Sequence, residues 1–194
     1  MARKKGTFTS RTKARKRAAD VVFEANQRRM DRSPQALREL LAERQLVTTA
    51  ETELPAYAVE IVEGVADNLG RLDQLISRRA KVPSLDRLPG VDLAIMRVAV
   101  WEMIANAEDV DPIVAISEAV AIAKSISTDR SPAFVNAVLD AVRADLRDEP
   151  DGGNNSDNQV EFPAAVVPSG GAQPKYSELE SESEDYLDEL LGEY

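Results

Sequence analysis

From about Ser10 to Asp148 the apolar residues return every three or four positions, as on one face of a helix, and no stretch alternates apolar and polar in the strand manner. In the first such stretch Ala14, Ala18, Val21, Val22 and Ala25 form the face, and Ser10 or Thr9 is placed to cap its start. The sequence Asp31-Arg32-Ser33-Pro34 ends that helix and opens the next, with Ser33 at the N-cap and Pro34 in the first turn, where a missing N–H is harmless. Leu37, Leu40 and Leu41 stripe the second helix. After a polar connection, a long helix is predicted from about Pro55 to Arg79 on the face Tyr57, Ile61, Val65, Leu69, Leu72 and Ile76. Gly64 and Gly70 inside it either kink it or admit a close neighbour. Pro83 and Pro89-Gly90 bracket a short link to VDLAIMRVAVWEMI, which is apolar nearly all round and predicts a central, buried helix. Asp111-Pro112 and Ser131-Pro132 each pair a capping side chain with a first-turn proline. They open two last helices, striped by Ile113, Ile116, Val120 and Ala123, and by Val135, Val138, Leu139, Val142 and Leu146. The expected fold is an all-α domain over residues 10–148, its six main helices arranged antiparallel as two small bundles on one core.

Composition changes at the two ends. After Glu149, DGGNNSDNQ and VPSGGAQP are poor in large apolar groups, so residues 149–194 are expected to be a disordered acidic tail. Its end, SESEDYLDELLGEY, could set Tyr186, Leu187, Leu190 and Leu191 on one helical face among acids, as a peptide that folds on a partner; a solubilising tail is the preferred reading. At the other end, residues 1–9 are expected to be a flexible basic arm. Between Met1 and Arg17 the ionisable side chains are Arg3, Lys4, Lys5, Arg11, Lys13, Arg15, Lys16 and Arg17, with no acid among them, although the chain as a whole carries −10. Such sorting is more informative than the total.

The 194 residues contain no cysteine and no histidine. That removes disulfides, Cys/His zinc sites, thiol nucleophiles and histidine acid–base chemistry, and the expectation is a protein without cofactor, metal or enzymatic activity. No apolar run approaches the roughly 20 residues of a membrane-spanning helix, and the basic start is not followed by an apolar stretch, so it is not read as a secretory signal. A cytoplasmic protein is expected.

Three places could carry function. Lysines and arginines near phosphates release condensed counterions, so a local cationic cluster attracts nucleic acid even on an acidic chain. Here the cluster continues into the first helix at Lys13, Arg15, Lys16 and Arg17, which fixes it on a scaffold; the bland alternative is a solvated basic terminus. At about 100° per residue Phe23 falls on the Lys16 side of that helix. There its ring could stack a base, or it could join Val21 and Val22 in one wide core face. The second place is the start of the last helix. Phe134 sits roughly 100° off the stripe centred on Val135, beside Arg130 and Ser131. A helix N-terminus there offers N–H groups and partial positive charge to a phosphate; the alternative is a peripheral core aromatic with an ordinary cap. The third is Glu102, which shares a face with Ile95, Val98 and Ala99 and so is expected to be buried, needing a partner. A structural ion pair or hydrogen bond is the preferred reading. Arg97, elsewhere on the same helix, could face a partner or RNA.

Several stretches together resemble the NusB family of transcription antitermination factors. RKRAADVVF (Arg15 to Phe23) is similar to the family's opening Arg-x-x-Ala helix. VEGVADNLGRLDQLI, LDRLPGVDLAIMRVAVWEMI and VAISEAVAIAKSISTDRSPAFVNAVLD follow in the family's order, the last closing on Phe134-Val135-Asn136 and Val138-Leu139-Asp140. The likeness spans roughly Arg11 to Leu146. It departs at Pro83, where members often carry tryptophan, at Ser117, often asparagine, and at Arg130, often an acid. The change at Arg130 favours phosphate binding.

The resemblance implies two three-helix bundles and a role in ribosomal RNA transcription. It implies binding of single-stranded boxA-type RNA together with NusE, a small-subunit ribosomal protein, and assembly with other Nus factors on RNA polymerase. Carried over by position, Arg11, Lys13, Arg15 and Lys16 fall in the RNA-binding arm, Phe23 stands where members often carry tyrosine, and Ser131 and Phe134 fall in a second RNA-contacting region, with Arg130 beside it. Asp92 and Arg97 fall on the helix associated with the protein partner. The family contains monomers and dimers, so a homodimer stays open. The alternative reading is a helical protein–protein adaptor with no specific RNA ligand.

Overall fold

The computed structural model describes residues 9–46 and 53–148. The expectations for most of the basic arm (1–8) and for the acidic tail (149–194), including the Tyr186–Leu191 face, lie outside the described residues. Among those described there are six α-helices and no strand: α1 (Ser10–Gln27), α2 (Pro34–Leu46), α3 (Ala56–Ala80), α4 (Gly90–Ala105), α5 (Pro112–Ile126) and α6 (Ser131–Asp148). A single 3-10 turn, Leu85–Arg87, occupies the α3–α4 link.

The starts follow from capping chemistry. Thr9 caps α1, its hydroxyl accepting from the Thr12 N–H at 3.1 Å. Ser33 Oγ accepts from the Ala36 N–H at 3.3 Å before α2, and Asp111 accepts from the Ile113 N–H at 2.7 Å before α5. The last start differs from expectation. Ser131 is the first residue of α6, not its cap. Its hydroxyl bonds those of Ser127 and Thr128, at 2.9 and 2.8 Å.

Helix α4 is the axle. It packs against α1, α3, α5 and α6, so α1–α3 and α4–α6 form two three-helix groups on one continuous core. With neighbours on every side, even its polar residues Asp92, Arg97 and Glu102 are buried. The two glycines of α3 part company. A Cβ on Gly64 would lie 1.9 Å from Nε1 of Trp101 on α4, so this glycine is what lets α3 and α4 approach. A Cβ on Gly70 would meet nothing within 4 Å.

One ion network ties the first group to the axle. Arg97 donates from Nε and Nη2 to Asp73 on α3, at 2.8 and 2.9 Å, and from Nη1 to Asp31 at 2.8 Å. Asn26 donates to the same Asp31 oxygen at 3.0 Å. Burial alone would raise the Asp31 pKa, but the hydrogen bonds from Asn26 and Arg97, with the Arg97 charge, outweigh it and hold the carboxyl below its ordinary 3.8. A depressed folded-state pKa means the unfolded state takes up the proton first, so this stabilisation is present above pH 3.8 and is lost as pH falls through the lower folded value. Asp31→Asn is therefore expected to lower stability at neutral pH, and its difference from wild type to shrink as urea midpoints are followed down to about pH 2.5. A difference that stays constant with pH would exclude the pairing.

Candidate functional site

The cations of α1 divide by depth. Arg11 and Lys13 are exposed and Lys16 half-exposed, with Asp20 Oδ2 4.0 Å from its Nζ in a loose surface pair. Arg15 is different: it is 4 % exposed, although its place in the basic run put it among the RNA-binding residues. Its Nε meets both Glu102 oxygens at 2.9 and 3.0 Å, and its Nη1 reaches Glu118 on α5 at 3.2 Å. The reason is angular. Arg15 lies on the buried face with Ala14, Ala18 and Ala19, opposite a fully buried Glu102. Burial alone would lower the Arg15 pKa, but the Glu102 hydrogen bond and the surrounding negative charge hold it above its ordinary value, so the guanidinium stays charged and engaged. Glu102 is thus the structural ion-pair residue expected of it.

Tyr57, read from the sequence only as a core-stripe residue, joins this cluster. Its hydroxyl donates to Glu102 Oε1 and accepts from Asn106 Nδ2 at 3.2 Å. Burial first, then the Glu102 carboxylate, push its pKa up, which keeps the phenol protonated as a donor. The Arg11 guanidinium lies 5.0 Å from its ring centroid and that of Arg15 5.8 Å. The aromatic is on α3, more than forty residues from either arginine, so no local spacing signals it.

A second cluster forms around the first turns of α4 and α6. Phe23 is half-buried and packs on the core; a Cβ on Gly90 would lie 3.2 Å from its ring. Two residues on, Asp92 accepts a 2.6 Å hydrogen bond from Ser127 Oγ, which also bonds Ser131. Phe134 is half-buried one turn into α6, and Arg130 is exposed just before it. Beside them a cleft of about 590 Å³ opens between the end of α5 and the start of α6, lined among others by Lys124, Thr128, Asp129 and Asn136. Lys124, in the last turn of α5, is a cation the sequence reading passed over.

The expected site residues therefore do not form one patch. Arg15 is level with Glu102 of α4 and Ser131 with Asp92, ten residues or about 15 Å apart along that helix. Asp92 and Arg97, expected at a partner surface, are each 2 % exposed. Both lie on a helix covered on all sides, and their charged ends are taken up by Ser127 and by Asp31 and Asp73. Neither side chain is placed to meet a partner directly.

This order of helices around a buried α4 is matched in known proteins. The sequence profile of the NusB family matches residues 12–144. The chain belongs to the NusB family. The transcription antitermination protein NusB of Beutenbergia cavernae is 47 % identical over 135 residues, which span 68 % of this chain and 88 % of that protein. T. maritima NusB has the same NusB fold, with a TM-score of 0.56 at 31 % identity over 71 % of this chain and 93 % of that one. A crystal structure of the antitermination factors NusB and NusE in complex with dsRNA matches at TM-score 0.53 and 23 % identity, covering 70 % of this chain and 96 % of that one, and at that identity shows the shared fold. No helix among the described residues is long and apolar enough to cross a membrane.

Proposed function

We propose that this NusB-family chain is an RNA-binding subunit for transcription antitermination. It takes boxA-type single-stranded RNA in nascent ribosomal RNA transcripts together with NusE, within a complex of Nus factors on RNA polymerase. The observation that carries this reading is the surface position of Arg11, Lys13 and Lys16 on α1 while their neighbour Arg15 is spent inside the core. Cations held at the surface of a rigid helix can meet phosphates. Arg130 supplies another at the α5–α6 turn, where Phe134 offers part of a ring. A single strand can track from one cluster to the other, because such proteins combine cationic grooves with stacking platforms over several nucleotides. The solved complex of NusB and NusE with dsRNA, from the same family, supports RNA and NusE as partners.

Titration with boxA-type RNA, with and without NusE, tests the reading. With Arg11, Lys13, Lys16 and Arg130 as the phosphate contacts, log affinity is expected to fall against log salt with a slope near roughly −3. NusE should tighten binding. A salt-independent affinity, or none with NusE present, would return the chain to the adaptor reading. Phe134→Ala is expected to weaken RNA binding by about 1–3 kcal/mol if its ring stacks a base. An unchanged affinity would make Phe134 a packing residue only.

A further inference from the structure

We propose that Tyr57 is a positioning residue for the RNA surface: it holds the exposed Arg11 guanidinium against its ring and so presents that charge to phosphate in a fixed place. The inference rests on the RNA-binding reading above and assigns a role to a residue of α3, outside both clusters the sequence singled out.

Three observations carry it. The Arg11 guanidinium lies 5.0 Å from the Tyr57 centroid, within the range in which a ring face attracts a cation. The ring is itself anchored, since its hydroxyl donates to Glu102, a fully buried carboxylate, and accepts from Asn106 at 3.2 Å. Arg15, which grips the same carboxylate through two hydrogen bonds, lies 5.8 Å from the same centroid. Arg11 sits in the first turn of α1 and is exposed. A long side chain there ordinarily loses much rotamer freedom when it pairs with an anion. A ring that already holds the guanidinium removes part of that loss before RNA arrives. Glu102 and Asn106 account for the hydroxyl; the ring face is what touches Arg11.

The chemistry separates ring from hydroxyl. In the full-length protein, Tyr57→Phe keeps the face and removes the hydroxyl, whereas Tyr57→Leu removes the face. With boxA-type RNA, Tyr57→Leu is expected to bind about threefold to tenfold more weakly than wild type, and Tyr57→Phe, which keeps the face but loses the hydroxyl anchor, to fall between the two. The Leu variant should also show a shallower salt dependence. In an Arg11→Ala background Tyr57→Leu should cause no further loss, because the two act as one unit. A wild-type measurement stands beside these: the Arg11 δ-proton resonances should show an upfield ring-current shift, which needs no variant to fold. Unshifted Arg11 protons, wild-type affinity in Tyr57→Leu, or equal losses in the two backgrounds would each overturn the inference while leaving RNA binding intact. Failure of the wild type to bind RNA would instead overturn the reading on which it rests.

Discussion

Glu102→Gln is expected to destabilise the protein by about 3–5 kcal/mol, the scale for breaking one side of a buried ion pair. The substitution is close to isosteric, so the loss would report charge and hydrogen bonding rather than volume. Glu102 is 0 % exposed and accepts from Arg15 at 2.9 and 3.0 Å and from the Tyr57 hydroxyl. An amide in its place offers one acceptor oxygen and turns an N–H₂ group toward other donors. The guanidinium of Arg15 then keeps only one charged partner, Glu118, at 3.2 Å and at the edge of solvent. Domains of this kind have about 5–15 kcal/mol of stability to lose, so the shift in urea midpoint should be large. Replacing both Arg15 and Glu102 by apolar residues of similar size should be milder, because no buried charge is then left alone. A loss below about 1 kcal/mol for Glu102→Gln would show that water or another carboxylate reaches the Arg15 guanidinium.

Gly64→Ala is the second large effect, and here two general expectations have opposite signs. Helix propensity favours alanine over glycine by about 0.5–1 kcal/mol. Packing opposes it, because the new methyl would lie 1.9 Å from Trp101 Nε1 and 2.2 Å from Cε2. Trp101 is 5 % exposed and set in the core, so α3 and α4 must separate or the indole must leave its position. Packing should dominate, with a net destabilisation of about 3 kcal/mol. Gly70→Ala on the same helix is the internal control. Nothing lies within 4 Å of its added Cβ, so it should raise stability by about 0.5–1 kcal/mol. Thermal unfolding of the two variants should move in opposite directions from wild type. Equal shifts would mean that α3 and α4 do not meet at Gly64.

Both substitutions act where the sequence is least transparent. Glu102 could be read as buried from its helix angle, but its partner Arg15 stands 87 residues away on another helix and lies within a run of surface-like cations. Helical periodicity states which way a side chain points. It does not state what the neighbouring helix presents there. The same limit explains Asp92 and Arg97, which the family resemblance placed on a partner-associated helix and which the α5–α6 turn and α3 engage through Ser127 and Asp73. Tyr57 was legible as a stripe residue, whereas its contact with Arg11 required α1 and α3 to be side by side. The Gly64–Gly70 pair is the plainest instance: two glycines six residues apart in one helix, with only one facing a tryptophan.

What the chain determined alone was local in origin: six helices at three- and four-residue spacing, proline and capping starts at Ser33 and Asp111, and a fourth helix too apolar to lie anywhere but the centre. Those features depend on hydrogen bonds and side-chain directions within a few residues, which sequence order specifies directly. The tertiary structure decided which cations of one basic run face water, because burying Arg15 needs an anion from α4, while Arg11 and Lys13 meet no such partner in the core and stay outside. A charge leaves water only where a distant residue compensates it, and that distance is bridged only once the helices have packed.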